Sequence, residues 1–440
     1  MRRRYRFLAL APTLSLLLGV SAADAQGRLA PRPFESLFGG TRGNDSKGQS
    51  LDLIAAVGAA SDSNTLGSGD LVGSLFNSDG IHTSLSSAIN YAVRLDRVQV
   101  GASAGIDGRY YSKLGELVST NKAADAFLDV NLGRTTFSVR QGVAASPVHY
   151  SELFPTLRAS TIGDTGATLG AYTLTDLLAL RYSSSASLGF QLGRRTSVEF
   201  DAMNGFTDFG EGSAFLDERA YSLSGRLIQR FWRDAGVRFG YGYRKGVYRF
   251  DELAASADLH DLDIGIDYDR ALSLTRRTSL RFAATSSILT SPSADLQNRL
   301  VYWFGGTVGL SYEIGRSWET EVTYDRGTRL VAGLSEPVFS NGIIGRVSGA
   351  ITRRVELDTS AGVAFGTVGF GLAGDHGFNT YSAQTRVQYS ISRMWAVHGQ
   401  YRFYNHDFGA DVIVPEEVPT LFGHHGIEVG LSLWVPLLRR

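Results

Sequence analysis

The side chains that could do chemistry in this 440-residue sequence are ionisable groups set two residues apart. Asp261, Asp263 and Asp267 recur along one stretch, Glu319 stands with Glu321, and Glu356 with Asp358. Arginines accompany them at Arg181, Arg226, Arg238, Arg244, Arg281, Arg346, Arg386 and Arg402. In an extended chain, residues i and i+2 project to the same face. Each set therefore lines one side of its segment. Both signs on one wetted side can hold neighbouring strands together, at about 0.2–1 kcal/mol per opposed pair. They can equally set up a field that orients a passing polar solute.

Catalytic constellations are sparse by comparison. The histidine-bearing candidates are His149 with Ser151, Asp375 with His376, and His406 with Asp407. Adjacent strand residues point to opposite faces, so neighbouring letters do not form a dyad. An enzyme is not expected. The absence of cysteine excludes disulfides, thiolate metal sites and a thiol nucleophile. Gly369-Phe370-Gly371 has no helix after it and is no phosphate cradle. The tandem His424-His425 is expected to be solvated, and neither a metal nor a cofactor is expected. The chain has 43 basic and 43 acidic residues, which lacks the basic surplus that nucleic-acid binding demands.

The elements that must position these charges are strands. Leu262, Ile264, Ile266 and Tyr268 alternate with polar residues, as do Val355, Leu357, Thr359, Ala361, Val363 and Phe365. Ile427, Val429, Leu431, Leu433, Val435 and Leu437 repeat the pattern near the end. A period of two with one wet face is strand patterning.

Short charged turns fall at Asp96-Arg97, Gly133-Arg134, Arg194-Arg195, Arg233-Asp234, Arg276-Arg277, Arg316-Ser317, Arg353-Arg354 and Ser392-Arg393. From Arg194 onward they recur every 37 to 43 residues. Longer segments rich in Gly, Ser, Asn and Asp join the other strand ends, among them 61–80, 151–175, 328–340 and 409–423. Short turns at one end and long loops at the other are the asymmetry of an outer-membrane barrel. Eight turns, plus one strand at each terminus, predict an all-β, transmembrane, antiparallel up-and-down β-barrel of about 18 strands; 16 is the alternative count.

Aromatics mark both margins of the apolar face. Phe231, Trp318 and Trp395 lie by the short turns; Tyr243, Tyr302, Phe304, Tyr324, Phe365, Tyr381 and Phe403 lie toward the loops. Such girdles belong at membrane interfaces. The opposite face carries the arginines and carboxylates named above and is expected to line an aqueous lumen. A soluble sandwich or propeller would instead need an apolar interior, which this face cannot supply.

Residues 1–25 read as a secretory signal peptide: arginines before Phe7, an apolar run to Val20, then Ala23-Asp24-Ala25. Residues 26–49 read as a flexible leader and 50–440 as the barrel. The expected address is the outer membrane of a Gram-negative bacterium. The expected partners are its lipid and lipopolysaccharide, the barrel-assembly machinery and a polar solute or saccharide.

The hairpins at 188–202, 269–286, 309–327 and 345–366 and the closing strand at 426–437 resemble bacterial outer-membrane β-barrel porins. The resemblance is to the kind encoded with exopolysaccharide or capsule production. It covers nearly all of the chain after residue 25 and rests on the style of the repeat, so no functional residue is carried over. It implies a passive channel and polysaccharide export. Two departures stand out: the chain ends Leu437-Leu438-Arg439-Arg440 where such barrels end on an aromatic, and no plug domain precedes the strands. A surface-exposed structural or adhesive barrel is the alternative function. An outer-membrane hydrolase using loop His, Asp and Ser residues is a weaker one.

Overall fold

The computed structural model describes residues 48–63, 80–111, 117–147, 178–210, 217–232, 235–250, 253–271, 278–290, 300–315, 317–329, 338–368, 377–409, 412 and 420–439. The expected signal peptide, the leader up to residue 47 and the long segment 151–175 lie outside the described residues. So do the turn residues Arg233, Asp234, Arg276, Arg277 and Arg316.

The described residues contain 18 strands and no helix. The first six are β1 (Gly48–Asp62), β2 (Gly80–Arg94), β3 (Val98–Tyr111), β4 (Leu117–Asn131), β5 (Thr135–Pro147) and β6 (Leu178–Gln191). Then come β7 (Thr196–Asp208), β8 (Asp217–Arg230), β9 (Ala235–Phe250), β10 (Leu253–Ala271), β11 (Thr278–Thr290) and β12 (Leu300–Ile314). The last six are β13 (Trp318–Arg329), β14 (Val338–Ala350), β15 (Val355–Val368), β16 (Gly377–Ser390), β17 (Trp395–Phe408) and β18 (Leu421–Arg439).

Each strand pairs antiparallel with its neighbours in sequence, and β1 also pairs with β18, from Ser50–Arg439 to Asp62–Gly426. The sheet therefore closes on itself, which leaves no edge strand to template aggregation. The count of 18 is the one the turns predict. Both described ends of the sheet, Gly48 and Arg439, lie on the short-turn side.

Local chemistry shapes the short turns. In the β14–β15 turn the Thr352 hydroxyl accepts from the amides of Arg354 (3.2 Å) and Val355 (3.1 Å). In the β16–β17 turn Ser392 accepts from Met394 (3.2 Å) and Trp395 (3.1 Å). The same hydroxyl device thus closes two equivalent turns. Between β4 and β5, Gly133 adopts a φ of 83°, which a side chain would resist, and its amide donates to Asn131 Oδ1 at 2.9 Å.

The two faces separate as the alternation requires. Leu262, Ile264 and Ile266 of β10 point outward and are exposed, as do Ile427 and Val429 of β18. Tyr302, Phe304, Phe365, Tyr381, Trp395 and Phe231 are exposed on the same outer surface, at its two margins. That surface is not free of charge: Lys245 faces Asp258 at 3.8 Å, beside the Tyr243–Asp258 hydrogen bond. These groups sit at the loop-side margin.

Candidate functional site

The inner face is the candidate site, and two kinds of charge arrangement divide it. The first is a series of close ion pairs between neighbouring strands. Arg226 on β8 donates to Glu199 (2.9 Å) and Asp201 (2.7 Å) of β7. Arg238 on β9 holds Asp263 of β10 at 2.7 Å. Arg244, six residues along the same strand, grips Asp261 with two nitrogens at 2.6 and 2.8 Å. Two-pronged contacts of this kind combine energy with fixed orientation. Arg346 on β14 pairs with Asp358 on β15. Glycines make room for several of these: Gly240 stands between Arg226 and Asp263, and Gly309 lets Arg281 of β11 reach over β12 to Glu321 of β13 at 3.8 Å.

Of the remaining predicted positions, Arg181, Arg386, Glu356 and Glu319 fall on the same side by register. Arg181 donates to Ser146 at 3.0 Å, and Arg386 to Gln388 at 3.2 Å. Glu356 lies opposite Gln388, Glu319 opposite Ser348, and Asp267 opposite Gly236. Exposure varies along this face. Arg346 and Arg281 have 57% and 46% of their side-chain surface accessible although both point inward. Water therefore reaches that part of the interior.

The second arrangement is buried. On the inner face of β17, β18, β1, β2 and β3, a patch of ionisable side chains is almost wholly enclosed. Asp62 is its first centre, with His82 Nδ1 at 3.5 Å, His424 Nε2 at 3.6 Å and Arg109 at 3.7 Å. Glu428 is its second, with Arg402 at 3.6 Å, His398 Nε2 at 3.9 Å and a hydrogen bond from Ser84 at 3.2 Å. These separations exceed those of the Arg226, Arg238 and Arg244 pairs. Among the described residues, Asp62 Oδ1, both ring nitrogens of His82, His424 Nδ1, His398 Nδ1 and both amide atoms of Gln400 are buried without a hydrogen-bond partner. Buried polar groups left so are costly, and native proteins carry few of them. Aromatic rings flank the patch: His82 lies 4.6 Å from Tyr111, and Phe422 stacks with His424 and His406.

Of the fifteen lumen candidates only Arg402 belongs to this patch. The expectation of a solvated His424 is corrected: the register that sets Asp62 beside Gly426 turns His424 inward against Asp62, where it is 4% exposed. His425, one residue on, faces outward to the Tyr401 hydroxyl at 2.8 Å. His406 and Asp407 point to opposite faces, being paired with Thr380 and Asn379. His149, Ser151, Asp375 and His376 lie outside the described residues. No group of three His, Asp or Glu side chains arranged to hold a metal occurs among the described residues.

No family model matches the chain, and no curated protein matches it. Solved structures do. Pseudomonas aeruginosa OccK2 (OpdF), crystallised in complex with glucuronate, is similar at 10% identity over 89% of this chain and 98% of its own, with a TM-score of 0.44. Acinetobacter baumannii OccAB4 is similar at 9% identity over 89% of this chain and 100% of its own, also with a TM-score of 0.44. Pseudomonas aeruginosa OccK11 (OpdR) gives 10%, 89%, 98% and 0.41 for the same four measures.

Sequence alternation signals the close ion pairs, because each carboxylate partner has another carboxylate two residues away in its own strand: Glu199 with Asp201, Asp261 with Asp263, and Asp358 with Glu356. The buried patch has no such signal. Its members come one or a few at a time from β1, β2, β3, β17 and β18, which the barrel joins only by closing.

Proposed function

We propose that this barrel is an outer-membrane channel that passes polar solutes through a mixed-charge aqueous lumen. The observation that carries the reading is the opposition of the two faces. Ile264 is 51% exposed on the outside, in an apolar belt with aromatic margins, while Arg346, pointing inward, is 57% exposed to the interior. An apolar exterior suits lipid, and a charged, water-accessible interior suits a pore. Barrels of 16 to 18 strands are wide enough to leave an aqueous channel.

The finer reading rests on the balance of charge. Carboxylates and guanidiniums alternate around the wall, so the lumen favours no single ionic sign. A neutral, hydroxyl-rich solute such as a saccharide can both donate to and accept from such a wall. Saccharide or exopolysaccharide export is therefore the specific proposal. Residues 1–25 are proposed to direct secretion, and the barrel to be inserted by the barrel-assembly machinery in a Gram-negative outer membrane facing lipopolysaccharide.

Single-channel recording in planar bilayers tests the pore. Discrete conductance steps are expected from the purified, folded barrel, and a folded barrel that never conducts refutes the open channel. For the solute, proteoliposome swelling with neutral oligosaccharides is expected to exceed swelling with charged solutes of equal size. The reverse order rules out the saccharide reading.

A further inference from the structure

The wall between β9 and β13 departs from a regular ladder in two places. The β10–β11 register breaks between Leu262 and Tyr268, so that 263–267 of β10 face only 283–285 of β11. Extra residues of this kind bend a strand. The β12–β13 ladder ends at Gly306–Arg326, although β12 runs on to Leu300 and β13 to Arg329. Most other adjacent strands stay paired nearly to their loop-side ends, the β4–β5 ladder, which ends at Lys122–Ala145, excepted.

Both breaks fall on one transverse row. Arg238 pairs with Gly265, and a Cβ on Gly265 would collide with Ala284 O. Ala284 pairs with Gly306, which pairs with Arg326. Three small residues thus lie side by side across β10, β11 and β12, where the ladder loosens between β10 and β11 and again between β12 and β13. Glycine there permits bends and close approaches that other residues resist.

Two arginines of β9 bridge the loosened region. Arg238, besides holding Asp263, donates to Ala284 O of β11 at 3.3 Å. Arg244, besides gripping Asp261, donates to Thr328 O of β13 at 2.8 Å. Neighbouring strands lie about 4.8 Å apart, so β9 and β13 are separated by about 19 Å along the wall. That is far beyond the reach of a side chain. The loop-side wall must therefore fold, bringing β9 and β13 together, with β10 still laddered to β9 as far as Leu253–Phe250. Leu259, opposite Arg244, is fully buried despite its inner-face position, as such a fold requires. At the seam, Arg326 lies over the Trp303 ring at 4.7 Å and Trp303 packs on Phe339 at 4.8 Å. Trp303 Nε1 and Arg326 Nε have no hydrogen-bond partner among the described residues.

We propose that the loop-side ends of β10, β11 and β12 form a hinged flap, and that the β12–β13 seam is the edge along which the wall opens sideways. The hinge is the row Gly265–Ala284–Gly306. The Arg244–Thr328 bond latches the open position, because it occupies a carbonyl on a segment of β13 that β12 leaves unladdered. Continuing the register from Gly306–Arg326 brings Phe304 opposite Thr328 in the closed position. The motion does not depend on the solute or on conduction.

The chain has no cysteine, so an engineered pair reports cleanly. Phe304→Cys with Thr328→Cys is oxidised in native membranes, and the directly paired Leu310→Cys with Val322→Cys serves as reference. The expected result is slower disulfide formation at 304–328 than at 310–322, made at least about tenfold faster by Arg244→Gln, a change of about 1.4 kcal/mol in the latch. Gly306→Ala puts a Cβ 2.5 Å from Ala283 O and is expected to slow the 304–328 pair alone. It carries the test if Arg244→Gln fails to assemble. No disulfide at 304–328 in any background while the reference pair closes, or a rate that neither substitution changes, overturns the flap.

Discussion

Asp62, at the end of β1, and His424, near the start of β18, stand 3.6 Å apart although they lie near opposite ends of the described chain. Closing the barrel brings them together, and Arg109 and His82 complete the surroundings of the same carboxylate. Removing one partner of a buried charge set strands the others, at a cost of about 3–5 kcal/mol. Asp62→Asn is therefore expected to lower the unfolding free energy of the detergent-solubilised barrel by that order, read as a fall in its urea midpoint. Arg346→Gln, in an exposed pair, serves as the comparison. Equal midpoints for the two variants would show that the closure patch adds nothing to stability.

Lumen charges should set ion preference without setting stability. Arg346 and Arg281 are largely accessible, and pairs of that kind contribute less than about 1 kcal/mol. Arg346→Gln is expected to leave unfolding unchanged and to shift the reversal potential in a salt gradient toward cation preference. Asp358→Asn should shift it the opposite way. A shift of the same sign from both variants would place these groups off the ion path.

Close packing at Gly366 gives a steric prediction. A Cβ there would collide with Phe339 O, whereas at Gly345 the nearest atom is 4.0 Å away. Overpacking costs about 1–3 kcal/mol. Gly366→Ala should therefore destabilise the barrel by that order and Gly345→Ala hardly at all, read from thermal unfolding on semi-native gels. Matching midpoints would contradict the pairing geometry of β14 and β15.

The outer belt predicts a dependence on face. Ile264 and Asp263 are adjacent on β10, yet one faces out and the other in. An arginine at a lipid-facing site costs about 2–4 kcal/mol at the bilayer midplane. Ile264→Arg is expected to reduce the amount of folded barrel recovered from outer membranes, while Ser360→Arg, on the inner face of β15, should not. Equal loss from both would argue against a lipid-facing belt.

The ion pairs on β7–β10 and β14–β15 were legible in the primary structure because strand alternation is local. Asp261 and Asp263 share a face for the same reason that Leu262 and Ile264 share the other. Strand count and both apolar margins follow from the same period and from turns about forty residues apart. The buried patch was not legible. His424 reads as a polar residue at a strand start, and only its register against β1 turns it toward Asp62.

The sequence by itself pointed to strands, to about 18 of them, and to the face of each that carries the charges, since these depend on residues two apart and on turns that recur about every forty residues. The tertiary structure alone decided that Asp62 meets His424, that Arg244 reaches Thr328, and that the ladder loosens along Gly265, Ala284 and Gly306. Those relations depend on sheet closure and on the folding of the wall. These bring together groups far apart along the chain, and no local pattern of residues encodes such distances.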